Sequence, residues 1–189
     1  MSARVLASAA ALVLYAAPRA SGYAESAPPG FSGGFGEQSC HACHFHADLN
    51  SGPGRVTIAG LPDRFAPGER YPLTITLTRP NMKLGGFQLT ARLKDGGAQA
   101  GSLAPAPGEE QRVGTDVQSG IKYVNQRRKG TAVASAHTAT WKLIWTAPPA
   151  NGAVVFHVAA NAADGDETAE GDSIHTLAVE STPGSPGPP

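Results

Sequence analysis

The sequence is short of charge and has no excess of either sign. Only 16% of its 189 residues are Asp, Glu, Lys or Arg, and 15 acidic residues balance 15 basic ones. The densest basic run, Arg127-Arg128-Lys129, has the length of a solvated turn. Because binding to a phosphate backbone requires a basic surface, this balance excludes nucleic acid as the expected partner.

Long apolar runs are also missing, except near the N-terminus. Val5–Ala17 follows Arg4, and small residues then lead to Gly22-Tyr23-Ala24, an A-x-A-like cleavage site. The run is shorter than the roughly 20 residues of a membrane-spanning helix. It predicts a signal peptide over residues 1–24, a periplasmic or secreted location, and no membrane span after cleavage. A signal that stays uncleaved would instead tether the protein.

Helical periodicity is missing from the body of the chain. Polar and apolar residues alternate there, between turns supplied by 23 Gly and 16 Pro. Seven or eight short strands of this kind predict an all-β fold, an immunoglobulin-like antiparallel β-sandwich preceded by an irregular N-terminal segment. The predicted strands are 55–61, 71–78, 86–93, 140–146, 153–160 and 174–179, with weaker ones at 98–103 and 120–124.

Cysteine is scarce, and both cysteines lie in one motif. Cys40, Cys43 and His44 form the C-x-x-C-H pattern of c-type haem attachment. Two intervening residues let both thiols reach the two vinyl groups on one side of a porphyrin, and His44 then lies under the iron as proximal ligand. We therefore predict one covalent haem c. Such attachment follows export, so the motif and the signal peptide support each other.

Three other chemistries would use the same residues. A thioredoxin-type dithiol would need a βαβ unit, which the strand pattern does not predict. A disulfide between such close cysteines would close a tiny loop and stabilise little. A zinc or copper clip has suitable donors, but five donors within seven residues cannot all reach one ion. Those donors are Cys40, His41, Cys43, His44 and His46.

The second axial ligand is predicted from topology. Haem iron is commonly completed by Met or His. In an immunoglobulin-like sandwich the first strand starts at the end where the second finishes, so the 79–85 connection should lie near the haem segment. Met82, within it, is therefore predicted as the second metal ligand. By the same argument His137 should lie at the opposite end; His157, water or an open site are the alternatives.

The acidic stretch 164–172 is a further candidate site. Its carboxylates are of the type that binds calcium. Their spacing does not match the EF-hand loop. A solvated hairpin loop with Asp-Gly turns is the simpler interpretation. The acidic residues are Asp164, Asp166, Glu167, Glu170 and Asp172.

Several ordered segments also carry a family resemblance. They are Ser39–His44, Val56–Pro62, Phe65–Tyr71, Gly86–Ala91, Trp141–Pro148, Val155–Asp166 and Gly171–Thr176. Together they resemble the Reeler-like (reelin-domain-like) family of bacterial β-sandwiches, also described as a choice-of-anchor domain. The resemblance covers residues 38–180. It implies an immunoglobulin-like sandwich and a secreted or surface location, and it implies no defined activity.

These observations divide the chain into a signal peptide (1–24), a haem-attachment segment (25–53), a Reeler-like β-sandwich (54–180) and a disordered Pro/Gly tail (181–189). The principal prediction is an exported monohaem c-type cytochrome-like protein that exchanges electrons with an exported redox partner protein. One alternative is a secreted or surface binding or adhesion module, in which the cysteine pair is a disulfide or metal clip. Another is a haem sensor or small peroxidase with an open distal site. No hydrolase motif is present, so an electron carrier or binding module is expected rather than an enzyme.

Overall fold

A computed structural model describes residues 23, 25–134, 137–149 and 152–184. The described residues form ten strands and two 3₁₀ turns, Cys40–Ala42 and Arg128–Gly130. The predicted signal peptide, apart from Tyr23, and residues 185–189 of the predicted tail lie outside this description. The strands are β1 (Arg55–Ala59), β2 (Arg64–Phe65), β3 (Arg70–Thr78), β4 (Leu84–Leu93), β5 (Ser102–Pro105), β6 (Val113–Gln118), β7 (Ile121–Gln126), β8 (Thr138–Thr146), β9 (Val154–Ala163) and β10 (Ser173–Pro183).

The strands form two sheets packed face to face. One sheet has the order β1-β3-β8-β5 and the other the order β2-β10-β9-β4-β7-β6. The neighbouring strands pair antiparallel, except that β2 runs parallel to the end of β10. The predicted all-β sandwich is confirmed. Among the described residues, no helix has the length and apolar character needed to cross a membrane.

The apolar residues of the alternating strands form the core between the sheets. Trp141 and Trp145 of β8 are fully buried, and their rings pack against Phe87 of β4 and Phe156 of β9 in the other sheet. The Trp141 indole N–H donates to the Gly130 carbonyl at 2.8 Å. Burial of each large apolar side chain contributes roughly 1.5–3 kcal/mol. This aromatic layer is therefore a main source of the stability that holds the sheets together.

The N-terminal segment, residues 25–54, lies across the outer face of the six-stranded sheet. Gln88 of β4, which faces away from the core, accepts the Phe31 N–H at 2.6 Å. Further along, the Asn50 N–H donates to the Ile174 carbonyl of β10 at 2.9 Å. The chain then crosses to the other sheet and enters β1. The motif is thus carried on the outside of the sandwich, against strands whose core-facing side chains are already packed.

Two features differ from those predicted: the end of the last strand and the position of His137. β10 continues to Pro183, beyond the predicted start of the tail at 181, because its end pairs with β2: the Thr182 N–H donates to the Asp63 carbonyl at 3.0 Å. His137 does not lie at the opposite end from the 79–85 connection. Its carbonyl accepts the Arg79 N–H at 3.1 Å, because the end of β3 pairs with the start of β8.

Candidate haem site

The C-x-x-C-H motif is wound into a single turn. The Ser39 hydroxyl oxygen accepts the His41 N–H at 3.2 Å and caps the turn at its start. The N–H groups of Cys43 and His44 both donate to the Cys40 carbonyl, at 3.2 and 3.0 Å. Side chains three residues apart are eclipsed in a 3₁₀ turn, so the two cysteines project to the same side. Both thiols are free, and both line one cavity together with His44.

The loop before the motif is tied to the sheet by one half-buried carboxylate. Glu37 accepts hydrogen bonds from the Ser32 hydroxyl and from the guanidinium of Arg92 on β4, each at 2.7 Å. The hydroxyl of Tyr123 on β7 donates to the same carboxylate, and burial together with Glu37 raises the pKa of that phenol. The Arg92 guanidinium also lies 4.4 Å from the centre of the Phe35 ring. These contacts fix the position from which the cysteine turn starts.

His44 is held by a buried carboxylate from the β9–β10 hairpin. Its Nδ1 lies 2.6 Å from Oδ2 of Asp172, whose side chain is 2% exposed against 18% for His44. The Asn161 amide nitrogen is 3.3 Å from the same Nδ1, but it also donates to Asp172 Oδ2 at 3.0 Å. The shorter contact to a carboxylate decides the tautomer: Nδ1 carries the proton and donates it to Asp172. Nε2 is therefore the nitrogen available to a metal ion.

A groove opens on the outer sheet face beside His44. Its volume is about 530 Å³, within the roughly 300–1,000 Å³ of small-molecule sites. Gly85 and Gly86 of β4 form part of its wall, and Gly86 is the register partner of Asn161. A smaller cavity of about 90 Å³, lined by both cysteines, shares His44 and Gly86 with it. The missing side chain at Gly86 therefore leaves room at the point where a porphyrin attached to the two thiols would extend.

The thiol chemistry differs from that of a redox-active dithiol. Burial raises the pKa of Cys40 to about 12, so this thiol stays protonated at neutral pH. Redox-active cysteine pairs instead lower the pKa of the attacking thiol. The described residues also contain no cluster of three or more His, Cys, Asp or Glu side chains placed to hold a metal ion.

Comparison of the sequence with protein-family models and with curated proteins finds no match. Among solved structures, the Reelin-N domain of F-spondin matches with a TM-score of 0.51 at 17% identity, over 77% of this chain and 97% of that chain. The fold is Reeler-like. A human F-spondin reeler domain (fragment 1) has a TM-score of 0.49 at 18% identity, over 74% of this chain and 96% of that chain.

Within the Reeler-like sandwich, Met82 is not brought to the motif. Its side chain is 2% exposed and belongs to the core between the sheets, whereas His44 lies on the outer face. The connection that contains Met82 does approach the groove, because Leu84 and Gly85 line it. Ligation by Met82 stays a prediction, and it would require the side chain to leave the core.

His157 also packs away from the motif, in contact with the N-terminal loop. Its ring meets Phe35 edge-on, with centroids 5.2 Å apart, and it lies beneath Gly34. Burial is the main cause that lowers its pKa. It therefore packs beneath the N-terminal loop, and it is not among the residues that line the groove.

The contact of Asp172 with His44 is what the sequence reasoning missed, because it considered Asp172 only as one carboxylate of the acidic stretch. The hairpin loop itself is closed by its own side chains: Asp164 accepts the Asp166 N–H at 3.2 Å, and Asp166 accepts the Thr168 N–H at 2.8 Å. Hydrogen bonds from the Thr168 N–H and then the Thr168 hydroxyl to its carboxylate lower the pKa of Asp166. Asp172 instead turns inward to His44. The available signal was its position directly before a strand, which separates it from the loop tip.

Proposed function

We propose that this protein is an exported electron-transfer protein that carries one haem c, bound covalently through Cys40 and Cys43 and ligated by His44. One observation carries the proposal. The motif forms a single turn in which both thiols and the histidine line the smaller cavity, and Asp172 leaves the histidine Nε2 available for iron. A motif that served only as a staple would not need this tautomer.

The residues of the motif supply attachment and orientation. Each thiol would add across one vinyl group: the sulfur bonds to one vinyl carbon, the thiol hydrogen goes to the other, and no oxidant is needed. The Ser39 cap and the turn hold the two cysteines on one side of the motif. When bound, the haem supplies a one-electron couple between ferric and ferrous iron. His44 would bind the iron through Nε2.

The surroundings of the groove support transfer to another protein. The exposed side chain of Leu84 lies at its rim, so a partner could approach a haem edge across an apolar part of that rim. Because the net charge is zero, we expect no strong long-range electrostatic attraction of a partner to the protein. We therefore expect an exported redox partner that recognises this rim mainly by shape and apolar contact. Export itself rests on the predicted signal peptide, which places the protein in the periplasm or outside the cell.

A second candidate is a secreted or surface binding module. The Reeler-like fold supports it, because a β-sandwich can present binding surfaces without any cofactor. The cysteine pair would then be a disulfide or a metal clip. Replacing both cysteines distinguishes the two candidate functions. A binding module of this kind would still bind its partner, whereas an electron carrier would lose the haem and with it the ability to accept and donate an electron.

The decisive experiment is intact mass combined with a visible spectrum, on protein exported by cells that mature c-type cytochromes. We expect a covalent gain of one haem, roughly 616 Da, and the absorbance bands of a haem c. The Cys40→Ala/Cys43→Ala variant should fold and remain colourless. An unmodified wild-type chain, from cells that load a reference cytochrome, would contradict the cytochrome proposal and leave the binding module.

A further inference from the structure

The contact between His44 and Asp172 is unusually close. The Nδ1 to Oδ2 distance of 2.6 Å is at the short end for hydrogen bonds between nitrogen and a carboxylate, which are about 2.7–2.9 Å. The carboxylate is almost fully buried, so little water weakens the interaction. Such a bond does more than orient a ring, because it draws the Nδ1 proton towards the carboxylate.

The carboxylate is itself held in place by the hairpin. Asn161 donates to its Oδ2 at 3.0 Å, and the Asp164 N–H donates to its Oδ1 at 3.2 Å. The base of the hairpin is clamped by Arg79, whose Nη1 donates to the carbonyls of Ala162 and Gly171, each at 3.2 Å. Asp172 therefore cannot turn away from His44 without breaking several bonds. A fixed partner of this kind is typical of a residue that sets the properties of a metal ligand.

We propose that Asp172 is a positioning residue that fixes the Nε2-available tautomer of His44 and, through it, lowers the reduction potential of the iron. The inference rests on the proposed function. A carboxylate at Nδ1 makes the imidazole more basic at Nε2, and a more basic ligand stabilises ferric over ferrous iron. Asn161 opposes this effect, because its donation to Oδ2 withdraws charge from the same oxygen.

The two residues therefore have opposite predicted effects. Asp172→Asn keeps an acceptor of the same shape and removes the charge. The ratio of ferrous to ferric iron at a given potential should therefore rise about tenfold, which raises the reduction potential by about 59 mV for a one-electron couple. Asn161→Ala removes a competing donor, so the potential should fall. If Asp172 and Asn161 had purely structural roles, the two substitutions would not shift the potential in opposite directions.

The test is a spectroelectrochemical titration of the haem-loaded wild type and both variants. Asp166→Asn is the matched control, because it removes one charge from the same loop without touching His44, and its potential should stay close to that of the wild type. The proposal is overturned if Asp172→Asn carries haem with an unchanged potential, or if Asp166→Asn gives an equal shift. If Asp172→Asn does not fold, an unchanged or raised potential in Asn161→Ala overturns it.

A second readout does not depend on the haem. Long-range ¹H–¹⁵N spectra of the unloaded protein should show His44 protonated at Nδ1 in the wild type, with a mixture of tautomers in Asp172→Asn. A wild type that never takes up haem would defeat the proposed function alone. In that case a wild-type mixture of tautomers would overturn the role of Asp172, and a single Nδ1-protonated form would support it.

Discussion

Gly34 lies directly against the imidazole of His157: a Cβ at position 34 would lie 2.1 Å from the ring Cγ. The N-terminal loop can approach the sheet this closely only because residue 34 has no side chain. The ring is confined from another side by Phe35, which meets it edge-on. The close approach of the N-terminal loop to the sheet at this point therefore depends on one missing methyl group.

Gly34→Ala should loosen the N-terminal segment. The added methyl must displace the His157 ring, and overpacking of this kind costs about 1–3 kcal/mol. Denaturant unfolding should show that loss of stability. The double variant Gly34→Ala/His157→Ala restores the space, so its destabilisation should be smaller than the sum of the two single changes. Strict additivity would show that the close approach does not govern docking.

Gly86→Leu should prevent haem attachment without unfolding the sandwich. A Cβ at this position meets only the Gln126 side chain, at 3.4 Å, so the backbone accepts it, while the remaining side chain would fill the groove beside His44. The measurement is the haem-to-protein ratio of exported protein, which should fall severalfold. Thr76→Leu, on β3 in the four-stranded sheet, is the control and should load normally. Full loading of Gly86→Leu would show that the haem lies elsewhere.

Met82→Leu should leave the haem spectrum unchanged. Met82 is buried in the core, and a swap that conserves volume there usually costs less than about 1.5 kcal/mol. The visible and magnetic circular dichroism spectra of the loaded variant should match those of the wild type. Loss of a low-spin spectrum would instead establish Met82 as the second axial ligand, and would mean that haem loading draws it out of the core.

Stability should fall as the pH drops below about 6.5. His175 is almost fully buried beside Gly54, and its Nε2 has no hydrogen-bond partner within the described part of the chain. Burial, followed by the nearby Arg79 charge, lowers its pKa from 6.5. The folded state therefore binds fewer protons than the unfolded one, so this contribution is complete above 6.5 and is lost at lower pH.

Unfolding midpoints measured from pH 8 to pH 5 test this expectation. His175→Gln should flatten the decline, because it removes the group that must be charged on protonation. His46→Gln, a change at an exposed histidine, should leave the decline as it is. An equal pH dependence in all three proteins would assign the effect to other groups.

The sequence predicts the sandwich because alternation is strongest where a strand is buried on one face. β3 and β8 carry large apolar residues at every second position, and both were predicted closely. β6 was missed because it is an edge strand in which polar and apolar residues do not alternate and whose last two residues, Val117 and Gln118, are exposed. β2 is two residues long and exists only through its pairing with β10, so no local pattern could reveal it.

The candidate site was likewise predicted where the signal is local and not where it depends on the assembled sheet. The turn formed by Cys40, Cys43 and His44 is local, and its spacing predicted it. Asp172 is distant in sequence and reaches His44 only because the segment crosses β9 and β10, which is a property of the assembled sheet. The prediction for Met82 used the correct end of the sandwich, but the direction of its side chain depends on core packing that topology alone does not fix.

The burial of Cys40 has a consequence for the order of events during maturation. In the folded protein this thiol is half-buried and stays protonated at neutral pH, because burial raises its pKa to about 12. A protonated, sheltered thiol reacts slowly. We therefore expect the proposed haem to be attached while residues 25–54 are still detached from the sheet. Closure of that segment would then act as the final step of assembly and seal the finished product against further thiol chemistry.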